Sequence, residues 1–359
     1  MRFILITLCL LVLTPIVFPV SVSLAANNSA EPREVYIEDA LNRKVVLKRV
    51  PERVVSLAPS ITEMLFYLDL QRYVVGVDSI SYSDPYLNIS SYVKEHEVTD
   101  VGGYWWSAIE VEKILELDPE LVLADKGGHT PLLEVFERYN ITVIYLNGGS
   151  ARSLADIYFD LGILATIYGL SERASEFMDL VDNAFAQYRD LLKPYEGLKV
   201  LVVVGVYNGI WVAGRATFID DVLSRLGLVN VANSAGWYAV DLEKISELNP
   251  DIVIATQMAG SREETINALH DTGIYDLGVP VIVLSQEASD SLQRPGPLIQ
   301  YAPSHIYNAI TSTLQTQITL EHGQGTESPI TELSLIAVAF IAVFVIGVFI
   351  GFVIRGRKL

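Results

Sequence analysis

Short apolar runs alternate along this chain with stretches whose apolar residues return every three or four positions. ELVLA (120–124), ITVIYL (141–146), KVLVVVGV (199–206), DIVIA (251–255) and VPVIVL (279–284) are runs of the kind a parallel sheet covers on both faces. The segments between them carry helical spacing. Strand, helix and strand in alternation predict an α/β fold with parallel sheets.

The pattern also repeats. YWWSAIEVEKILELDPELVLA (104–124) returns 131 positions later as WYAVDLEKISELNPDIVIA (237–255), pairing Glu112 with Glu243, Lys113 with Lys244, Ile114 with Ile245 and Pro119 with Pro250. Each copy is a helix-period piece that ends at a residue before proline, which is pushed out of the helical region, and then a buried strand. The openings correspond as well. RVVSLAPSITEML (53–65) runs strand, turn and helix, with Ser60 and Glu63 at capping-box spacing, and KVLVVVGV leads through YNGIWVAGRATFIDDVL to a helix. Two similar lobes follow. Between them, residues 150–197 keep helical spacing and predict mainly one long, stiff helix, with Gly169-Leu170-Ser171 as the point where a break would fall.

The two ends differ from this body. Phe3 to Val20 is an apolar run after Arg2, followed by SVSLAA, which reads as a secretory signal cut after Ala25; an uncleaved anchor is the alternative. Leu333 to Ile354 carries no charge over 22 residues, roughly 33 Å of helix at about 1.5 Å per residue, enough to cross a bilayer. RGRKL follows it and places the tail in the cytoplasm by the positive-inside rule. The expected order is a signal (1–25), a first α/β lobe (26–150), an inter-lobe helix (151–195), a second lobe (196–316), a flexible tether (317–332), a transmembrane helix (333–354) and a cytoplasmic tail (355–359). The body is expected on the extracellular face of the cell membrane, held by a single pass.

With 359 residues and 51% hydrophobic content the chain can bury a large core. Four of its 25 basic residues, Arg2, Arg355, Arg357 and Lys358, lie outside the body, which leaves 21 against 43 acids, a net of about −22. Such a field excludes nucleic acid and anionic lipid surfaces as partners of the body. The single cysteine, Cys9, sits in the signal, so a mature chain has no thiol chemistry.

Candidate chemistry is sparse. There is no G-x-S-x-G, Walker loop or G-x-G-x-x-G, and the five histidines show no ligand spacing, so neither a catalytic residue nor a metal site is assigned. His129 in KGGHT is the one histidine placed to reach a cleft, with a solvated loop position as the alternative. All four tryptophans, Trp105, Trp106, Trp211 and Trp237, fall in expected loops at the carboxyl ends of strands, which in open α/β sheets face the ligand crevice. Aromatics from both lobes would then line one cleft; capping of each lobe's own core is the competing role.

RVVSLAPSITEML, VVGVDSISYSDPY (74–86), VGGYWW (101–106), VEKILELDPELVLADKGG (111–128), the long inter-lobe segment and RPGP (294–297) together resemble class III substrate-binding proteins of ABC importers for cobalamin, ferric siderophores and haem. The likeness covers roughly residues 45 to 316 and is nearest to the cobalamin binders. It implies that aromatics sandwich the ligand, which falls on Trp106, Trp211, Trp237 and, in DSISYSDPY, Tyr82; Glu287 lies near a position that carries an acid. It further implies that Glu112 and Glu243 dock the lobes onto a permease dimer served by ATPase subunits. A pseudo-symmetric protein offering one carboxylate twice to a two-fold partner fits this, and the preference of a helix start for acids explains either glutamate alone. Where the family often has a further Trp, LADKGGH has Asp125. The implied function is capture of a bulky metal chelate, with no cofactor besides the cargo. Asp78, Asp84, Asp125, Glu287 and Asp290 in the candidate loops favour a near-neutral chelate such as cobalamin over anionic siderophores, although Arg215, Arg262 and Arg294 can reverse the local sign. A surface-anchored adhesion or signalling domain of the same fold is the alternative from another class.

Overall fold

The computed structural model describes residues 34–257 and 260–323. After an antiparallel pair, Val35–Glu38 with Lys44–Leu47, the first lobe is a five-stranded parallel sheet in the order Thr99–Asp100, Val74–Val77, Val54–Ser56, Leu121–Asp125 and Val143–Leu146. Leu121–Asp125 and Val143–Leu146 are buried throughout, as their unbroken apolar runs require.

In the second lobe Lys199–Val206 pairs in parallel with Ile252–Ala255, which pairs in turn with Val281–Val283. The internal repeat is therefore structural: Leu121–Asp125 and Ile252–Ala255 hold the same place between the neighbouring strands of their lobes. The repeated helices, Val111–Glu116 and Leu242–Leu248, end just ahead of Asp118-Pro119 and Asn249-Pro250. Asp118 and Asn249 sit at φ +43° and +47°, a left-handed conformation that Asp and Asn tolerate and that stops the helix.

The second sheet departs from the expected all-parallel plan. Lys199–Val206 and Ile210–Ala213 form an antiparallel hairpin, and Trp237–Val240 adds to its outer edge, also antiparallel. The cause is local: Asn208 and Gly209 both have positive φ (+50° and +134°), as an Asn-Gly pair at a tight hairpin turn allows.

The inter-lobe segment is not the single stiff helix expected. Helix Leu154–Tyr168 ends at Gly169 (φ +71°), and Ser171–Leu191 folds back along it. Tyr158 Oη donates to Asp182 at 2.8 Å, whereas a continuous helix would hold these residues about 36 Å apart. The result is a helical hairpin packed on both lobes. Phe177 meets Tyr67 of the first lobe edge-on at 4.9 Å, and Asp221 of the second lobe accepts a hydrogen bond from the Leu154 amide at 2.9 Å. One continuous apolar core runs from Val54 and Ile144 through Leu161 and Phe177 to Val200, Phe218 and Ile252. Separating the lobes would expose that core to water, so the pair behaves as one body.

The last described helix, Ala302–Gly323, packs on Ser171–Leu191, with Tyr188 and Tyr307 5.7 Å apart. It runs through residues 317–323, which were expected to open the tether. Among the described residues no helix is long and apolar enough to cross a membrane. The expected signal (1–25), the rest of the tether (324–332), the spanning segment (333–354) and the tail (355–359) lie outside the described residues.

Candidate functional site

The carboxyl ends of the strands of both lobes face a common cleft of about 1400 Å³. Tyr104 and Trp105 follow strand Thr99–Asp100 of the first lobe. Tyr207, Trp211 and Trp237 come from the antiparallel part of the second. Trp211 lies opposite Ala239 in the ladder, and side chains two apart share a face, so Trp211 and Trp237 project from the same side of the ribbon. Trp211 Nε1 donates to the Tyr207 carbonyl at 2.8 Å, and the Trp237 ring stands edge-on to buried Phe218 at 6.1 Å. Both indoles are thus held before any ligand arrives.

The opposite wall is glycine backbone around a buried carboxylate. Asp125 accepts from the amides of Gly127 (2.5 Å), Gly128 (3.2 Å) and Gly149 (2.7 Å) and from Tyr104 Oη (2.7 Å). A Cβ at Gly148 would stand 2.4 Å from that carboxylate, and φ there is +49°, so only glycine fits. His129 is buried behind this loop. Its Nδ1 accepts from the Asp125 amide at 3.0 Å, which makes Nε2 the donor to the Tyr104 carbonyl at 2.6 Å. Burial holds its pKa below the ordinary histidine value. Both ring nitrogens are spent on the loop, so this histidine is not a cleft ligand.

A polar annexe of about 410 Å³ opens beside the cleft, sharing Tyr104, Gly149, Gln257 and Gln293 with it. On helix Gln286–Gln293, Gln286, Asp290 and Gln293 recur at helical spacing and face the annexe. Arg294 closes its floor. The guanidinium lies 2.8 Å from Glu63 and 2.7 Å from Asp84, both first-lobe residues, and 3.4 Å from Asp290, with the Tyr86 ring 5.5 Å away. Tyr86 Oη also donates to Asp290 at 2.9 Å. Burial outweighs the cation at Glu63 and pushes its pKa up to about 8; Asp84 is raised for the same reason. Glu63 Oε2 has no protein partner, consistent with a protonated carboxyl. Among the described residues no group of three or more His, Cys, Asp or Glu side chains is placed to hold a metal ion.

This two-lobe geometry has counterparts. The sequence profile described as periplasmic binding protein matches residues 54–275. The chain belongs to the periplasmic binding protein family. It is 26% identical over 274 residues to an uncharacterized ABC transporter substrate-binding lipoprotein of Bacillus subtilis, covering 72% of this chain and 83% of that one. It is 26% identical over 268 residues to a vitamin B12-binding protein of Pectobacterium carotovorum, covering 73% and 90%. A periplasmic heme binding protein of Pseudomonas aeruginosa superposes with a TM-score of 0.60 over 72% of this chain and 92% of that one, at 23% identity, a likeness of fold alone.

Within this periplasmic binding protein the candidate residues part ways. Trp211 and Trp237 line the cleft, though from strands and not loops. In the first lobe the lining indole is Trp105; Trp106 opens the next short turn and lies exposed outside the lining, because neighbouring residues face different sides. Tyr82 packs on the first-lobe core, and Ile80, two positions earlier, reaches the annexe. Glu287 sits a hundred degrees round its helix from the annexe face and is exposed, close enough to His305 to act on its charge. Glu112 and Glu243 are both exposed, each in the first turn of its helix. Ser60 and Glu63 form no capping box: Pro59 opens the helix and Glu63 turns to Arg294. Tyr207 and the three glutamines were missed; Asn208-Gly209 signalled the hairpin that carries Tyr207, while isolated glutamines carry no spacing signal.

Arg294→Ala leaves Asp84 and Asp290 without their cation and Glu63 without its hydrogen-bond donor. Removing one partner of a buried charge cluster costs ~3–5 kcal/mol. The folded protein already holds the Glu63 proton up to about pH 8, against about 4.3 for an unfolded glutamate, so this group's contribution is complete at acid pH and lost as pH rises. Arg294 lowers the pKa of both Glu63 and Asp84, so without it these two rise further. Urea unfolding is expected to show a larger deficit for Arg294→Ala at pH 8 than at pH 5; a deficit that grows toward acid contradicts the assignment.

Proposed function

We propose that this chain is the substrate-binding component of an ABC importer, and that it carries a bulky metal chelate, cobalamin in preference to haem or a ferric siderophore, between its lobes. What carries this reading is the lining. The cleft exceeds the roughly 300–1,000 Å³ of ordinary small-ligand pockets and is walled by indoles and phenols, surfaces suited to a flat macrocycle. Among the described residues, Glu264 is the one charged group that lines the cleft, while Asp125, Asp290 and Arg294 line the adjoining annexe, where the arginine is already matched by carboxylates. Arg215 and Arg262 lie outside the lining, so no unmatched cation is offered to an anionic cargo. The vitamin B12-binding relative, matched over 90% of its length, agrees with this preference.

In this account the ligand is held by stacking and apolar contact, and nothing is done to it chemically. Glu112 and Glu243, exposed at equivalent helix starts of the two lobes, present paired carboxylates to a permease dimer, whose ATPase subunits supply the work. The uncharged stretch 333–354, followed by RGRKL, holds the body at the outer face of the membrane.

Tryptophan emission, titrated in parallel with cobalamin, haem and a ferric hydroxamate, is expected to show saturable quenching by cobalamin. Trp105→Ala, Trp211→Ala or Trp237→Ala should each weaken it about tenfold, ~1.4 kcal/mol, and Trp106→Ala less than about twofold. Quenching by haem or the hydroxamate alone overturns the ligand, and silence to all three overturns the metal-chelate reading in favour of an unrelated ligand or a surface-interaction role. For the anchor, a chain stopped after residue 325 is expected in the soluble fraction while the full chain sediments with membranes. A soluble full chain, or a shortened one that still sediments, contradicts it.

A further inference from the structure

We propose that the annexe is a carboxamide subsite, taking uncharged primary amide groups on the rim of the cargo and rejecting carboxylates at the same positions. The inference rests on the reading of the cleft as a metal-macrocycle site and adds a rule about which rim groups are admitted.

A primary amide presents one acceptor oxygen and two donor hydrogens, whereas an ionised carboxylate presents acceptors only. The annexe supplies the complement of the first. Gln293 lies where cleft and annexe join, and its Nε2 is buried with no protein acceptor, a donor that a ligand carbonyl satisfies. Gln286 Nε2 is directed to Asp290 Oδ1 at 3.0 Å, and Gln257 Nε2 to the Gly260 carbonyl at 3.0 Å. Each of these two amides is oriented by the protein, which leaves its Oε1 to accept from a ligand N–H. One donor and two acceptors thus come from three glutamines on two separate segments.

The charges exclude the alternative. A carboxylate in the annexe would face Asp125 and Asp290, and the cation in the wall, Arg294, sits among Glu63, Asp84 and Asp290. With its neighbours already in place the guanidinium has no unmatched charge for a further anion, and like charges in a partly enclosed site repel strongly. A macrocycle edged with carboxylates therefore loses here what one edged with amides gains.

The test uses the full chain in detergent, with cobalamin and its monocarboxylic acids, each carrying one peripheral amide hydrolysed to acid, measured by calorimetry at pH 7.5. At least one monoacid is expected to bind ten-fold or more weakly than cobalamin. Gln293→Leu should weaken cobalamin several-fold and narrow that ratio, and Gln293→Lys should restore the disfavoured monoacid. Equal binding of every monoacid and cobalamin, within two-fold, overturns the subsite while leaving the cleft reading intact, and the wild-type comparison stands even if a variant folds poorly. A ratio unchanged in Gln293→Leu also overturns it. Absence of any cobalamin binding removes the cleft reading and this inference together.

Discussion

A guanidinium taken out of water must find carboxylates, and Arg294 finds two of its three across the molecule, Glu63 and Asp84 at the start of the first lobe, while Asp290 comes from its own helix. These contacts fix where the helix Gln286–Gln293 lies against the first lobe, and with it the floor of the annexe. The cluster holds more acid than one cation can balance. Burial holds the Glu63 proton to about pH 8, the neighbouring Asp84 carboxylate adding to it, and the neutral carboxyl reduces repulsion around the pair. A buried cluster of this kind contributes specificity of arrangement more than net stability, which comes from the shared apolar core.

That core sets the mechanics. Helix Leu154–Tyr168 and helix Ser171–Leu191 are folded together and wedged between the lobes, so opening cannot proceed by bending one rod; it would have to pull Phe177 and its neighbours out of a continuous apolar interior. A cleft with pre-set indoles follows. Binding by such a cleft spends little on closure, and the contribution of each aromatic is available at first contact.

Much of this was legible in the pattern of apolar runs. ELVLA and DIVIA foretold equivalent strands, and the prolines after Asp118 and Asn249 foretold where two helices stop. Gly169 marked the break in the inter-lobe segment, but the direction of the chain after it depends on tertiary partners such as Asp182 and Phe177, which periodicity does not register. Trp105 and Trp106 differ by one residue, and which of two neighbours faces a cleft is decided by backbone angles that loop sequence leaves open. Ser60-x-x-Glu63 had the spacing of a cap, yet its glutamate answers to an arginine 231 residues away. Asp125, conspicuous for standing where a tryptophan was expected, braces its own glycine loop, a role visible only once Gly127, Gly128 and Gly149 converge on it.

In the proposed function a rigid cleft receives a flat metal macrocycle between the indoles of Trp211 and Trp237 and a first-lobe wall of glycine backbone flanked by Tyr104 and Trp105. A crystal structure of the chain with cobalamin bound tests it most directly. The corrin is expected between the Tyr104–Trp105 side and the face carrying Trp211 and Trp237, with the lobes superposing on the unliganded arrangement to about 1 Å, as in pre-organised binders. A corrin bound elsewhere, or lobes swung apart by more than about 2 Å, would contradict it.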